Sequence, residues 1–334
     1  MTDDELDLDD RDALLVYADV LQQRGDPRGE LIVLQDRGSA DAERAHLAAH
    51  PELLADIATL GRFTSRLGFI VAAELIGCTR DEVARVLAHP SCRFLRDLSI
   101  AAGHDAMKRA LVAIAHPHVR SVVIEQDVVG EDDESWEVLS GFIGDHAMLV
   151  FDADHLHAAA SAMFERLPRL ERVTVTGWEL FSSIASPTLR ELVVADGSPT
   201  CRRGTRIHLP ALERLAWHYR TDNTGTRVDV DPDDDLAWLW RAELPALRHL
   251  DLSGARVTRP LLAIPPLRAL AAQLATLWLP GDALGERDDA VLAQLRSHAP
   301  ALRHLRELGI TRPRRATPKL MARAAAILPN VRWR

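Results

Sequence analysis

The sequence predicts an α/β solenoid: a curved parallel sheet with helices on its convex side, preceded by a small helical N-terminal module. Two observations carry that expectation. The first is an apolar spacing spelled most clearly from Leu244 to Thr258, LPALRHLDLSGARVT, where Leu247, Leu250 and Leu252 stand at positions 1, 4 and 6 of one unit. The same spacing recurs as Leu95/Leu98/Ile100, Val119/Val122/Ile124, Leu170/Val173/Val175, Leu189/Leu192/Val194, Leu212/Leu215/Trp217, Leu274/Leu277/Leu279 and Leu305/Leu308/Ile310. The second is a proline shortly before most of these units, which marks where a returning helix hands over to a strand, because proline cannot continue a helix. Side chains alternate along a strand, so positions 4 and 6 share one face while 3, 5 and 7 share the other. A single unit has too thin an apolar edge to bury alone, whereas stacked units bury one another.

The module is expected over residues 1–67 and the repeat array over 68–334. Asp9 or Asp10 can cap a helix running to about Arg24, with Leu14, Ala18 and Leu21 on one face and Gly25 as its stop. Asp26 caps a second helix, and Pro27 sits in its first turn, where the missing N–H costs nothing. Alternating charges at Asp19, Arg24, Asp26, Arg28 and Glu30 are expected to knit the two helices. The run from Tyr17 to Glu30, YADVLQQRGDPRGE, resembles the bacterial repeat-companion domain, a short module found ahead of repeat arrays in myxobacteria and planctomycetes. That resemblance covers roughly residues 9–40, with Val20 standing where the family commonly has tryptophan. It implies a following repeat array and no activity.

Residues 39–67 read as helical, with Pro51 opening a second segment, and 67–73 as a first, atypical strand. Thr79 to Glu82 form a capping box for the next helix. Further helices are expected at His104–Ala115, His155–Arg166 and Arg287–His298, a degenerate unit near His146, Leu149 and Phe151, and a truncated last strand at Val331 and Trp333. The apolar pattern resembles the leucine-rich repeat, which implies one short strand per unit and partner binding on the concave face. It departs from that family at position 9. Where the family has an asparagine that ties neighbouring turns, this chain has Gly103, Asp127, Trp178, Gly197, Arg220, Ala255, Asp282 and Pro313, so less regular stacking is expected.

Hydrophobic content of 47% and charged content of 27% are those of an ordinary soluble protein. Basic residues are almost all arginine, consistent with the coding bias of a GC-rich bacterial genome. The net charge of -9 is uneven: residues 1–36 are strongly acidic, while 301–334 hold eight arginines and Lys319 against Glu307 alone. Three cysteines without C-x-x-C spacing, an acidic start and no long apolar run point to a cytoplasmic protein without disulfide framework or membrane span.

Three clusters invite chemistry, and each has a blander reading. Asp229 to Asp235 resembles the start of a calcium loop, but Asp234 stands where glycine must turn and Trp240 where a bidentate glutamate is needed. Asp152, Asp154, His155 and His157, and separately His116 and His118, are ligand types without H-E-x-x-H spacing. No metal, cofactor or catalytic set is expected. The informative surface is instead positions 3, 5 and 7 of the strands, from which Trp278, His249, Asp251, His218, Arg214, Glu191 and Arg172 are singled out. Trp and Arg are over-represented among interface hot spots, and Trp278 falls on a face that should be solvated. The expected function is a non-catalytic scaffold binding another protein there. A regulatory subunit of an enzyme is the alternative, and nucleic-acid binding through the basic C-terminus a weaker third, since the whole chain is acidic.

Overall fold

A computed structural model describes residues 10–54, 56–126, 162–176, 183–197, 206–219, 229–230, 236–254, 256–257, 260–284, 288–311 and 317–334. The chain is mixed α/β, and its sheet strands are mostly parallel. It divides into two compact units, Met1–Val129 with Arg166–Arg169, and Gly130–Glu165 with Leu170–Arg334.

In the first unit, α1 (Arg11–Gln23) is capped by Asp10, whose carboxylate accepts from Ala13 N at 3.0 Å. It buries Leu14, Tyr17, Ala18 and Leu21. Helix α2 (Arg28–Asp36) crosses so close that a Cβ on Gly29 would stand 2.6 Å from the Ala18 carbonyl oxygen, which only glycine tolerates. Asp26 accepts from Arg28 N at 3.0 Å and from Arg28 Nη2 at 2.8 Å. That pair lies within one turn. The ion pair joining the helices is Arg11–Asp36, 2.6 Å, not one drawn from the expected alternating charges. The Tyr17 hydroxyl accepts from Arg93 at 2.6 Å, and the Arg93 guanidinium also lies 6.0 Å from the Phe69 ring centroid.

The stretch expected to be helical over 39–67 is so only in α3 (Ala40–Ala49) and a single 3-10 turn at Pro51–Leu53. Strand β1 (Gly61–Arg66) instead pairs antiparallel with β2 (Phe69–Ile76) across a two-residue turn, Leu67 at φ 49° and Gly68 at φ 79°. Two positive φ values match the twist of a tight hairpin. Gln35 fastens that turn, its Oε1 accepting from Gly68 N at 2.7 Å. Beyond β2 the pairing becomes parallel, to β3 (Asp97–Ala102) and then β4 (Ser121–Gln126). Helix α4 (Arg80–Ala88) starts on the expected capping box of Thr79 and Glu82, and α5 spans His104–Ala113.

In the second unit seven strands pair parallel in chain order: β5 (Arg172–Thr176), β7 (Glu191–Gly197), β9 (Arg214–Tyr219), β11 (His249–Asp251), β13 (Thr276–Leu279), β14 (Glu307–Ile310) and β15 (Val331–Trp333). The short strands between them form two small pairs, β6 (Ser183–Ala185) with β8 (Arg206–His208), and β10 (Asp229–Val230) with β12 (Arg256–Val257). Position 4 of every unit aligns, as Val173, Leu192, Leu215, Leu250, Leu277, Leu308 and Val331. That alignment fixes Leu305 as the opening of its unit and Leu328 as the opening of the last. Leu98, Ile100, Leu192, Leu250, Leu252, Leu277 and Leu279 are all buried, as expected for positions 4 and 6. Trp217 fills position 6 of its strand and packs on Trp238, ring centroids 4.5 Å apart, from helix α6 (Ala237–Arg241).

Proline does not always end a helix here. Pro265 and Pro266 open α7 (Pro265–Ala271), and Pro300 lies inside the last turn of α8 (Asp288–Leu302), ahead of α9 (Pro318–Ile327). The first turn tolerates proline because its N–H groups have no intrahelical acceptor. Of the helix expected at His155–Arg166, residues 162–166 are described and helical. The expected unit near His146, Leu149 and Phe151 lies outside the described residues.

Neighbouring strands are tied by a repeated device. Just before its strand a polar side chain reaches back to a carbonyl of the preceding unit. Thr188 Oγ1 donates to Leu170 O at 2.8 Å, Gln273 Nε2 to Leu244 O at 2.8 Å and His304 Nε2 to Ala271 O at 3.0 Å. Asn330 Nδ2 donates to both Leu302 O and Leu305 O. The first unit has its own version, Ser91 Oγ to Leu53 O at 2.8 Å and His116 Nε2 to Cys92 O at 3.0 Å. A mixed set of side-chain donors thus ties successive strands, and the register stays in step except for a shift at Val194–Gly197 in β7.

Two expectations test this stacking. Leu250→Ala should cost about 2–5 kcal/mol, as deletion of a buried leucine side chain does. Asn330→Ala, which strips a shared donor from two carbonyls, should cost about 1–3 kcal/mol; urea unfolding midpoints read both. His116 adds a pH signature. Burial, then the neighbouring His118, depresses its pKa to about 4, and its Nδ1 accepts from His118 N at 3.2 Å, so the folded state holds it neutral. The unfolded chain binds the proton first, so this contribution is intact above about pH 6.5 and is lost as pH falls toward 4. The loss is on the order of 3 kcal/mol. Between pH 7 and 4.5, His116→Gln should lose less stability than the unaltered chain does; equal losses would remove His116 from the account.

Candidate functional site

The outward faces of the second unit's strands bring the chosen residues together in rows. Arg172, Glu191, Arg214, His249, Thr276 and Glu307 are successive register partners across six strands. The row two residues further along runs Thr174, Val193, Ala216, Asp251, Trp278, Gly309 and Arg332. Asp251 and Trp278 are therefore direct cross-strand neighbours, as expected from the spacing. Apolar neighbours at positions 4 and 6 hold the backbone down, so the intervening side chains stand out of the sheet.

Two contacts link neighbours within the first row. Arg214 Nε lies 3.8 Å from Glu191 Oε1, and His249 Nδ1 lies 2.8 Å from Thr276 Oγ1. Burial, then the nearby Arg214 and Arg306, lowers the His249 pKa, so His249 is neutral at pH 7. Asp251 is the most constrained acid of the face. Its Oδ1 accepts from Ser253 N at 2.8 Å and stands 3.5 Å from His218 Nε2. Burial pushes the Asp251 carboxyl up, but the bonds from His218 and Ser253 together outweigh it and hold the pKa below the ordinary value. The group is a fixed negative charge at neutral pH. His218 itself is pressed against Gly254, where an added Cβ would come within 2.7 Å of the His218 Cβ.

Trp278 is half-buried, and its indole lies flat over Gly309 of the next strand. A Cβ at Gly309 would stand 1.9 Å from the ring. The Arg334 guanidinium lies over the same indole, 5.0 Å from its centroid, and reaches Asp251 Oδ2 at 3.7 Å. Sequence reasoning missed both Gly309 and Arg334. A lone glycine among apolar strand residues is a signal of close approach and could have pointed to Gly309. Nothing in the sequence ties Arg334 to Asp251, because the contact depends on where the last strand lies.

Among the described residues, the other clusters are engaged in packing contacts. His116 and His118 serve the strand-tying contacts, with Phe94 5.6 Å from the His118 ring. Cys78 and Cys92 are buried free thiols, and burial pushes Cys92 up to about 12, far from thiolate reactivity. Among the described residues no group of three or more His, Cys, Asp or Glu could hold a metal ion. The Asp152–His157 cluster and residues 231–235 of the calcium-like run lie outside them. No described helix is long and apolar enough to cross a membrane. No protein-family model matches the chain, and no curated protein matches it significantly.

Gly309 provides a direct check on this geometry. Gly309→Ala should push the indole off the sheet while leaving the apolar face intact, moving tryptophan emission to longer wavelength. In a Trp278→Phe background the same substitution should leave the emission unchanged.

Proposed function

We propose that the chain is an irregular leucine-rich-repeat solenoid with a repeat-companion module at its N-terminus. In this reading it is a bacterial cytoplasmic scaffold, non-catalytic, that binds another protein through the concave, outward face of its sheet. The observation that carries the proposal is the pair of registered rows, which set charges of both signs and one aromatic at fixed spacing on strands locked from behind. Such an array supplies orientation through complementary charge and affinity through a central anchor. Trp278 is that anchor, flanked by His249 and Asp251, with His218, Arg214, Glu191 and Arg172 extending the contact surface. Few aromatics and an overall acidic chain argue against nucleic acid as the partner.

The test is capture of a partner from the native host, followed by affinity measurements with purified proteins. Trp278→Ala should weaken the partner by at least about 2 kcal/mol, the scale of a hot-spot residue. Its unfolding midpoint should move little, because the ring is only half-buried. A variant that unfolds readily while its folded fraction binds normally would make Trp278 a packing residue and move the binding surface elsewhere.

A further inference from the structure

The contact between Arg334 and the face points to what the face receives. Asp251 lies on β11, Trp278 on β13, Gly309 on β14, and Arg334 just past β15. The arginine thus spans strands to put one guanidinium on both an aromatic face and a carboxylate. Each half of that receptor is held by its own backing. The indole rests on a glycine that leaves no room for a side chain. The carboxylate is oriented through Oδ1 by the bond from Ser253 N, with His218 Nε2 3.5 Å away, which leaves Oδ2 directed at the cation. The arginine is the loose component: its side chain remains 65% exposed, and its ion-pair distance is long. Exposed ion pairs of this kind hold weakly, so the occupant exchanges easily.

We propose that Asp251, Trp278 and Gly309 form a receptor for a guanidinium group, and that a partner protein fills it with an arginine side chain that displaces Arg334. A guanidinium matches both halves, since its plane stacks on an aromatic ring while its N–H edge meets a carboxylate. Arg334 is then the internal competitor, lowering affinity by the fraction of time it occupies the site. This inference rests on the scaffold reading only for the carrier of the arginine, not for the receptor chemistry.

The probe is N-acetyl-arginine methylamide, with its lysine and citrulline counterparts, titrated by NMR into the full chain. Arg334→Ala should bind the arginine probe about threefold or more tightly than the unaltered chain does, once the competitor is gone. Adding Asp251→Asn should abolish saturable binding, while the asparagine Oδ1 keeps its bond from Ser253 N and the melting temperature reports folding. The uncharged citrulline probe should not bind. Absence of saturable arginine binding in folded Arg334→Ala overturns the proposal, as does equal binding of citrulline or lysine. A dimer of the unaltered chain that Arg334→Ala dissolves would put a second copy's arginine in the receptor and overturn the assignment to a different protein. A captured partner sensitive to Trp278→Ala but indifferent to Asp251→Asn would keep the scaffold reading and overturn this one. Arginine binding by a chain whose partner ignores Trp278→Ala would do the reverse.

Discussion

Everything on the outward face depends on the tie between one strand and the next. At the first five steps in the second unit, from β5 to β14, one carbonyl at position 2 accepts from two successive N–H groups at the start of the following strand. Glu171 O takes Arg190 N and Glu191 N, Arg190 O takes Glu213 N and Arg214 N, and Arg248 O takes Ala275 N and Thr276 N. These shared acceptors set the strands in common register before any side chain is considered. The polar residues at Thr188, Gln273, His304 and Asn330 then satisfy carbonyls of the turn before. A one-residue slip would exchange the leucine face for the charged one, so register and burial enforce each other. The rows of the outward face inherit their spacing from this constraint.

The tie does not depend on one residue type. What stacked turns require is a donor for each buried carbonyl, not a particular residue. Threonine, glutamine, histidine and asparagine all supply one, and their different lengths suit turns of different size. Histidine does so at a cost in pH range. His116 can donate through Nε2 and accept through Nδ1 only as the neutral ring, and burial, then His118, favours that neutral form.

Much of this was legible in the sequence, and the reasons differ by element. The strand cores at Leu98, Leu192, Leu250 and Leu277 follow from a two-residue alternation that no other structure satisfies. The caps at Asp10 and Thr79 follow from local hydrogen-bond chemistry. The β1–β2 hairpin was hidden because its turn is Leu67–Gly68 in place of the asparagine–glycine pair that announces such turns, and Gln35, distant in sequence, stabilises it. On the candidate site, the adjacency of His249, Asp251 and Trp278 followed from spacing alone. Of the neighbours that define their chemistry, Gly309 and Arg334 did not, since they act through three-dimensional approach, whereas Ser253 closes a local turn on Asp251.

That difference separates a surface from a receptor. Spacing alone puts an aromatic and a carboxylate on neighbouring strands, and many exposed sheets carry such pairs. What distinguishes this one is immobilisation of both partners. Glycine at position 309 lets the indole lie down against the backbone, and the bond from Ser253 N to one carboxylate oxygen, with His218 beside it, directs the other. A side chain already ordered in the free protein loses little entropy when a ligand arrives, whereas a freely rotating one gives up rotamer freedom. Preorganisation therefore favours whatever cation meets Asp251 and Trp278 together, and the exposed Arg334 side chain shows which cation the geometry accommodates.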